Sequence, residues 1–312
     1  MIKVTREYVL KVLNVYRYVT SLDEIPGFST WDVSEITNFY GMFRDFSQIR
    51  DIKALSNWNV SNGIKFSNMF SECSSLKDFS PISNWDVSKG IEFSQMFCGC
   101  YLLDDLSPLS NWNVSNGTHF NEMFANCESL KDLSQLSTWN VSKGTSFNDM
   151  FRCKSLRNLV GLSNWNVSNG IDFSYMFDGC ELLNNLKPLS KWDVSKGTEF
   201  MYMFGHCRSL RKVKALSNWD VSNGIWFTYM FCGCESLKSL TGLSDWNVSN
   251  GTDFRFMFCE GSPLMDISIL SNWCVPRKYN VKDMFVDGSI NHNIRVNQTK
   301  IDNLNINIKR HN

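Results

Sequence analysis

The sequence has no apolar run long enough to cross a bilayer, no surplus of charge of either sign, and little proline or histidine. Its 312 residues carry 31 Lys+Arg against 31 Asp+Glu, with 6 Pro and 4 His. A membrane helix needs about 20 apolar residues and a secretory leader roughly 7–15. Lys3, Arg6, Glu7, Lys11 and Arg17 interrupt the N-terminal segment before either is reached. An intracellular, cytoplasmic protein without membrane contact is therefore expected. Charge balance removes the electrostatic excess that tracks a phosphate backbone, so no nucleic acid partner is expected. The histidines, at 119, 206, 292 and 311, form no metal-binding spacing. Cys98-Gly99-Cys100 and Cys232-Gly233-Cys234 are C-x-C pairs, not the C-x-x-C of zinc knuckles or redox sites. With no phosphate-cradling glycine loop and no G-x-S-x-G elbow, the expectation is no metal, no cofactor and no enzyme.

What the chain has in plenty is 23 Phe, 13 Met, 11 Trp and 11 Cys, and a repeat accounts for them. Trp recurs at 31, 58, 85, 112, 139, 165, 192, 219, 246 and 273, every 27 residues except for 26 between Trp139 and Trp165. Met stands eleven residues after each Trp, from Met42 to Met284, and Phe follows it every time. Another Phe stands eight residues after Trp in the first nine units, with Val281 in that place in the tenth. A period in this range signals stacked units that share one core, because no unit can bury its apolar face alone.

Each unit can be folded from its spacing. Phe93, Met96, Phe97 and Cys100 recur at i, i+3, i+4 and i+7, which predicts a two-turn helix. Trp85 and Val87 alternate as in a short strand, Ser88-Lys89-Gly90 supplies a turn, and Leu103, Leu106 and Leu109 return the chain to the next Trp. Strands stack about 4.8 Å apart and helices about 8–10 Å, so the helical side is expected to splay. The fold expected is an α/β repeat solenoid of ten units, each with short parallel strand and short helix. Residues 1–27 form a capping helix and lead-in, with Val9, Val12, Leu13, Tyr16 and Val19 at helical spacing. Residues 28–285 form the repeats and 286–312 a C-terminal cap or tail.

The phrases Trp-Asp/Asn-Val-Ser, Met-Phe-x-x-Cys and Ser-Leu-x-x-Leu resemble the BspA-like leucine-rich-repeat proteins, the DUF285 group, over about residues 28–285. The resemblance implies a leucine-rich-repeat-like solenoid for adhesion or other protein contacts, and no enzyme. Members of that group are surface proteins and lipoproteins; this sequence is expected to depart from them in lacking a signal peptide and a lipoprotein cysteine, its first Cys being Cys73.

Cys73, Cys100, Cys127, Cys153, Cys180, Cys207 and Cys234 share one column and are expected as buried, reduced thiols. The Asp/Asn after each Trp suits turn support better than acid/base chemistry. Side-by-side basic (Arg50, Lys77, Lys131, Arg157, Arg211, Lys238) and acidic (Asp51, Asp78, Asp105, Asp132, Asp266) stripes are expected as a compensated, solvated face. The column ten residues after Trp turns aromatic late, as Tyr175, Tyr202, Tyr229 and Phe256, with Trp226 nearby. On the expected helix it points away from the core. That makes these five residues the candidate partner-binding site, or equally the product of drift in an unconstrained column or of rings lying flat over their neighbours to cover gaps. The missing residue after Phe151 is expected to bend the stack and to divide a polar half from an aromatic one. The functional expectation is a monomeric protein-protein interaction solenoid; the alternative is a surface or virion-associated adhesin binding a host protein or glycan.

Overall fold

The computed structural model describes residues 1–261, 268–273, 275, 280, 281 and 283–285. The chain winds into one coil per 27-residue unit, and successive coils lie on one another in sequence order. Phe39, Phe66, Phe93, Phe120, Phe147, Phe173, Phe200, Phe227 and Phe254 are all fully buried and stack ring on ring, 5.3–5.8 Å apart. The Phe after each Met forms a second such column from Phe43 to Phe285. Met, Val, Cys and Leu columns fill the space between, in one continuous core.

The expected repeat helix is not there. Phe93, Gln95, Phe97 and Gly99 donate their amides to the next coil, at His119, Asn121, Met123 and Ala125, at 2.9–3.0 Å. Met96, Cys98 and Cys100 instead close i→i+3 turns on Phe93, Gln95 and Phe97. Gln95 and Gly99 take φ of 58° and 71°, as the third residue of a type II turn requires. A run of such turns reproduces the 3-4 spacing of a helix, which is why the periodicity misled. Alternate amides committed to the neighbouring coil cannot also form the i→i−4 ladder of a helix. The ring spacing agrees, being too short for helices side by side. The expected splay is accordingly absent from the Phe columns.

The strand also lies elsewhere. Pairing between coils is a parallel bridge one residue before the buried Phe, from Asn38–Lys65 through Glu199–Trp226 to Asp253–Asn280. Regular strands among the described residues are β1 (Ile2–Lys3) and β2 (Trp31–Asp32), paired in parallel. The leucine-spaced return contains a short 3-10 turn in most coils, such as Ser107–Leu109 and Lys187–Leu189. Near the N-terminus, helix α1 (Arg6–Val15) is capped by the Thr5 hydroxyl, which accepts from the Tyr8 amide at 3.2 Å. Its Val9 and Leu13 join the core, and Arg6 and Arg17 reach the first coil at the Tyr40 carbonyl and Asp45. No described helix is long and apolar enough to cross a membrane. The expected C-terminal cap or tail, 286–312, lies outside the described residues.

Polar columns hold coils together. From Trp85 onward each indole Nε1 donates to a leucine or isoleucine carbonyl one coil back, for example Trp139 to Leu109 at 2.9 Å. The seven column cysteines donate to a Phe carbonyl of the preceding coil. Burial pushes the Cys180 thiol up to about 12 and raises its column neighbours as well. The Asp/Asn after Trp accepts from the Ser amide two residues on, so it supports a turn. The acidic stripe has the same local use: Asp51, Asp78, Asp105 and Asp132 accept the amide two residues ahead and open the 3-10 segment.

Candidate functional site

The aromatic column is positioned by backbone conformation. Tyr175, Tyr202, Tyr229 and Phe256 occupy left-handed positions with φ of 59°, 52°, 59° and 58°. Each such bulky residue costs on the order of 1–2 kcal/mol. Their rings stack at 4.9, 4.4 and 4.8 Å with planes within 14°, and each pair returns about 0.5–1.5 kcal/mol. The rings point outward as expected, but from turns rather than from a helix face. They are half-buried by one another, so they present edges and hydroxyls instead of open faces. Burial among its neighbours lifts the Tyr202 hydroxyl to about 12.

Trp226 stands apart from this ladder. It sits in the bridged column between Glu199 and Asp253 and is 41% exposed. The same column holds Lys65, Glu92, His119, Ser146 and Asp172, so a tryptophan there is the odd member. The adjoining column contributes the exposed Ile64, Ile91 and Ile171.

The shortened unit does not break the stack. Trp139 and Trp165 remain parallel at 6.4 Å and Phe151 and Phe177 at 5.9 Å, so the expected division into two halves is not found. The residue lost is the second left-handed one, leaving Arg152 beside Asp149. Asp149 is 9% exposed, and burial pushes its carboxyl up to about 7 despite the Arg152 Nε at 3.4 Å.

A second cluster escaped sequence reading because its members lie one coil apart. Cys232 and Cys259 occupy equivalent places in adjacent coils, Cα to Cα 4.5 Å, and are joined as a disulfide. Cys232 and Cys259 lie outside the column of seven cysteines expected as reduced thiols, all of which are free and buried, Cys234 of the second C-x-C pair among them. The His206, Cys232 and Glu260 ligand atoms all lie within 4.8 Å of one another. Separations of 26 and 28 residues match no linear metal motif, yet around a 27-residue period they mean adjacency.

The family described as "Mycoplasma protein of unknown function, DUF285" matches in four overlapping segments, residues 11–134, 106–161, 131–238 and 213–299. The chain belongs to the DUF285 family. The matched segments take in the coils, the aromatic ladder, Trp226 and the His206 cluster. A search of curated proteins found no match. The core and turn columns repeat from coil to coil, whereas Trp226 stands alone in its column and the aromatics at 175, 202, 229 and 256 replace Gly41, Asn68, Gln95, Glu122 and Asp149 of the earlier coils.

Proposed function

We propose that this DUF285 chain is a non-enzymatic binding protein, a leucine-rich-repeat-like solenoid of the BspA type acting as a monomer in the cytoplasm. Helix α1 serves as its N-terminal cap. Its side face takes a protein partner at Trp226 and along the outer edges of Tyr175, Tyr202, Tyr229 and Phe256. The observation that carries this reading is Trp226, a large aromatic left exposed in a column otherwise given to polar and charged residues. Tryptophan anchors of this kind dominate interface energies, each worth at least about 2 kcal/mol when truncated. The hydroxyls of Tyr175, Tyr202 and Tyr229 add hydrogen-bonding capacity at low entropy cost. A glycan-binding adhesin would need open ring faces, and those of Tyr202 and Tyr229 are taken up by stacking. The polar columns already described hold turns and neighbouring coils, which supports a role without catalysis.

Affinity capture from the cell that makes the protein tests this. Trp226→Ser should weaken retention of the partner about 30-fold, while Tyr101→Ser, at another exposed aromatic, should leave it unchanged. Equal retention by the two variants would refute the assignment.

A further inference from the structure

The cluster around Cys232 has the composition and supporting shell of a metal site. His206 hydrogen-bonds Asp178 through Nδ1 at 2.8 Å, which leaves Nε2 as its free nitrogen. Such a carboxylate behind a histidine fixes ring orientation and raises its basicity as a ligand. Gly233 lies between His206 and Glu260 in the same column, and its missing side chain lets the ring lean across. A Cβ there would meet His206 Cδ2 at 2.7 Å. That opening lets a histidine reach a carboxylate two coils away. Cys232 is buried beneath, His206 is half-buried and Glu260 is exposed, so the group has a closed floor and an open mouth. The charged groups that act on His206 are Asp178 and Glu260, which raise its pKa, and Arg208, which lowers it.

We propose that His206, Cys232, Cys259 and Glu260 form a zinc site that is available when the Cys232–Cys259 bond is reduced. Two sulfurs, one imidazole nitrogen and one carboxylate oxygen suit tetrahedral Zn²⁺, whose ligand atoms stand roughly 3.3–3.8 Å apart. The disulfide and the ion exclude each other, because the sulfur electron pairs that bind the metal belong to thiolates. Two external thiols reduce the bond by exchange, yielding one external disulfide and two cysteine thiols. Zn²⁺ then binds as those thiols release two protons. In the reverse direction an external disulfide takes up two electrons and two protons to become two thiols, the protein disulfide re-forms, and the ion is released. The site therefore couples metal occupancy to the thiol–disulfide balance around the protein.

The test uses the full chain, reduced under anaerobic conditions and titrated with Co²⁺ as spectroscopic probe. The reduced chain should bind one equivalent with a thiolate-to-cobalt charge-transfer band and tetrahedral visible bands. One equivalent of Zn²⁺ should abolish them, and the oxidised chain should show neither. Cys259→Ser and His206→Ala should each weaken binding at least tenfold, while Cys98→Ser, at a buried thiol elsewhere, should not. Asp178→Asn, a positioning change, should weaken it about 10–100-fold and alter its pH dependence. Near-ultraviolet circular dichroism of the Trp column checks that each variant is folded. Absence of a tetrahedral cobalt spectrum in the reduced wild type would overturn the proposal, as would an undiminished one in folded Cys259→Ser.

Discussion

Gln95→Gly separates a coil built from turns from one built on a helix, because the two predict opposite signs. Gln95 holds φ at 58°, where an L-residue loses roughly 1–2 kcal/mol to contact between its Cβ and the backbone. Glycine removes that penalty and keeps both backbone bonds, Gln95 N–H to the Asn121 carbonyl at 2.9 Å and Cys98 N–H to the Gln95 carbonyl at 3.1 Å. Among the described residues no side-chain hydrogen bond of Gln95 is lost. Greater freedom of glycine in the unfolded chain offsets about 0.4–1 kcal/mol. The net expectation is a gain of roughly 0.5–1 kcal/mol. In a helix interior the same substitution loses about 1 kcal/mol. Repeat arrays need not unfold in one step, so hydrogen exchange of the Cys98 and Cys100 amides should accompany urea unfolding. Destabilisation by about 1 kcal/mol, with faster exchange at those amides, would refute the turn architecture.

Two further outcomes follow from the core and from Asp149. Phe97 is fully buried, stacked between Phe70 at 5.9 Å and Phe124 at 5.5 Å, with Phe79 edge-on at 5.1 Å. Phe97→Ala should therefore cost about 3–5 kcal/mol in urea unfolding, with exchange protection lost first in its own and adjoining coils. The Asp149 carboxyl is raised from 3.8 to about 7 by burial, so the folded chain holds this proton more tightly than the unfolded chain. That contribution to stability is complete below about pH 4 and is lost as pH rises through 7. Asp149→Asn should flatten this slope and exceed wild-type stability at pH 8, by at most about 4 kcal/mol. An unchanged slope in unfolding curves from pH 4 to 8 would show that Asp149 is not its source.

Much of the fold was legible because each core residue type recurs in a column. The spacing of Trp, Met and Phe placed the buried residues correctly, and the inward direction of the seven column cysteines followed from the same arithmetic. What the spacing could not distinguish was a helix from consecutive turns, since Phe93, Met96, Phe97 and Cys100 face inward in either. The deciding signal was weak but present: the column of Gln95 and its equivalents holds Gly41 and Asn68, and that of Gly99 holds Gly179, Gly233 and Asn126. Glycine and asparagine are the residues that favour left-handed backbone. The outward aromatics were found for a reason that proved wrong in detail, and their stacking on one another, edges outward, was not foreseen, because rings one coil apart become neighbours only when the coils stack at ring spacing. His206, Cys232, Cys259 and Glu260 were missed because ligand spacings are sought within one loop. Here neighbours in space are one period apart in sequence.

The proposed contact of the face around Trp226 with a protein partner is open to direct capture. A photo-crosslinking phenylalanine analogue placed at Trp226, and separately at Tyr101, tests it most directly when the protein is irradiated in the cell that makes it. Position 226 should give a discrete protein adduct that position 101 does not. No adduct from 226, or the same adducts from both positions, would contradict it.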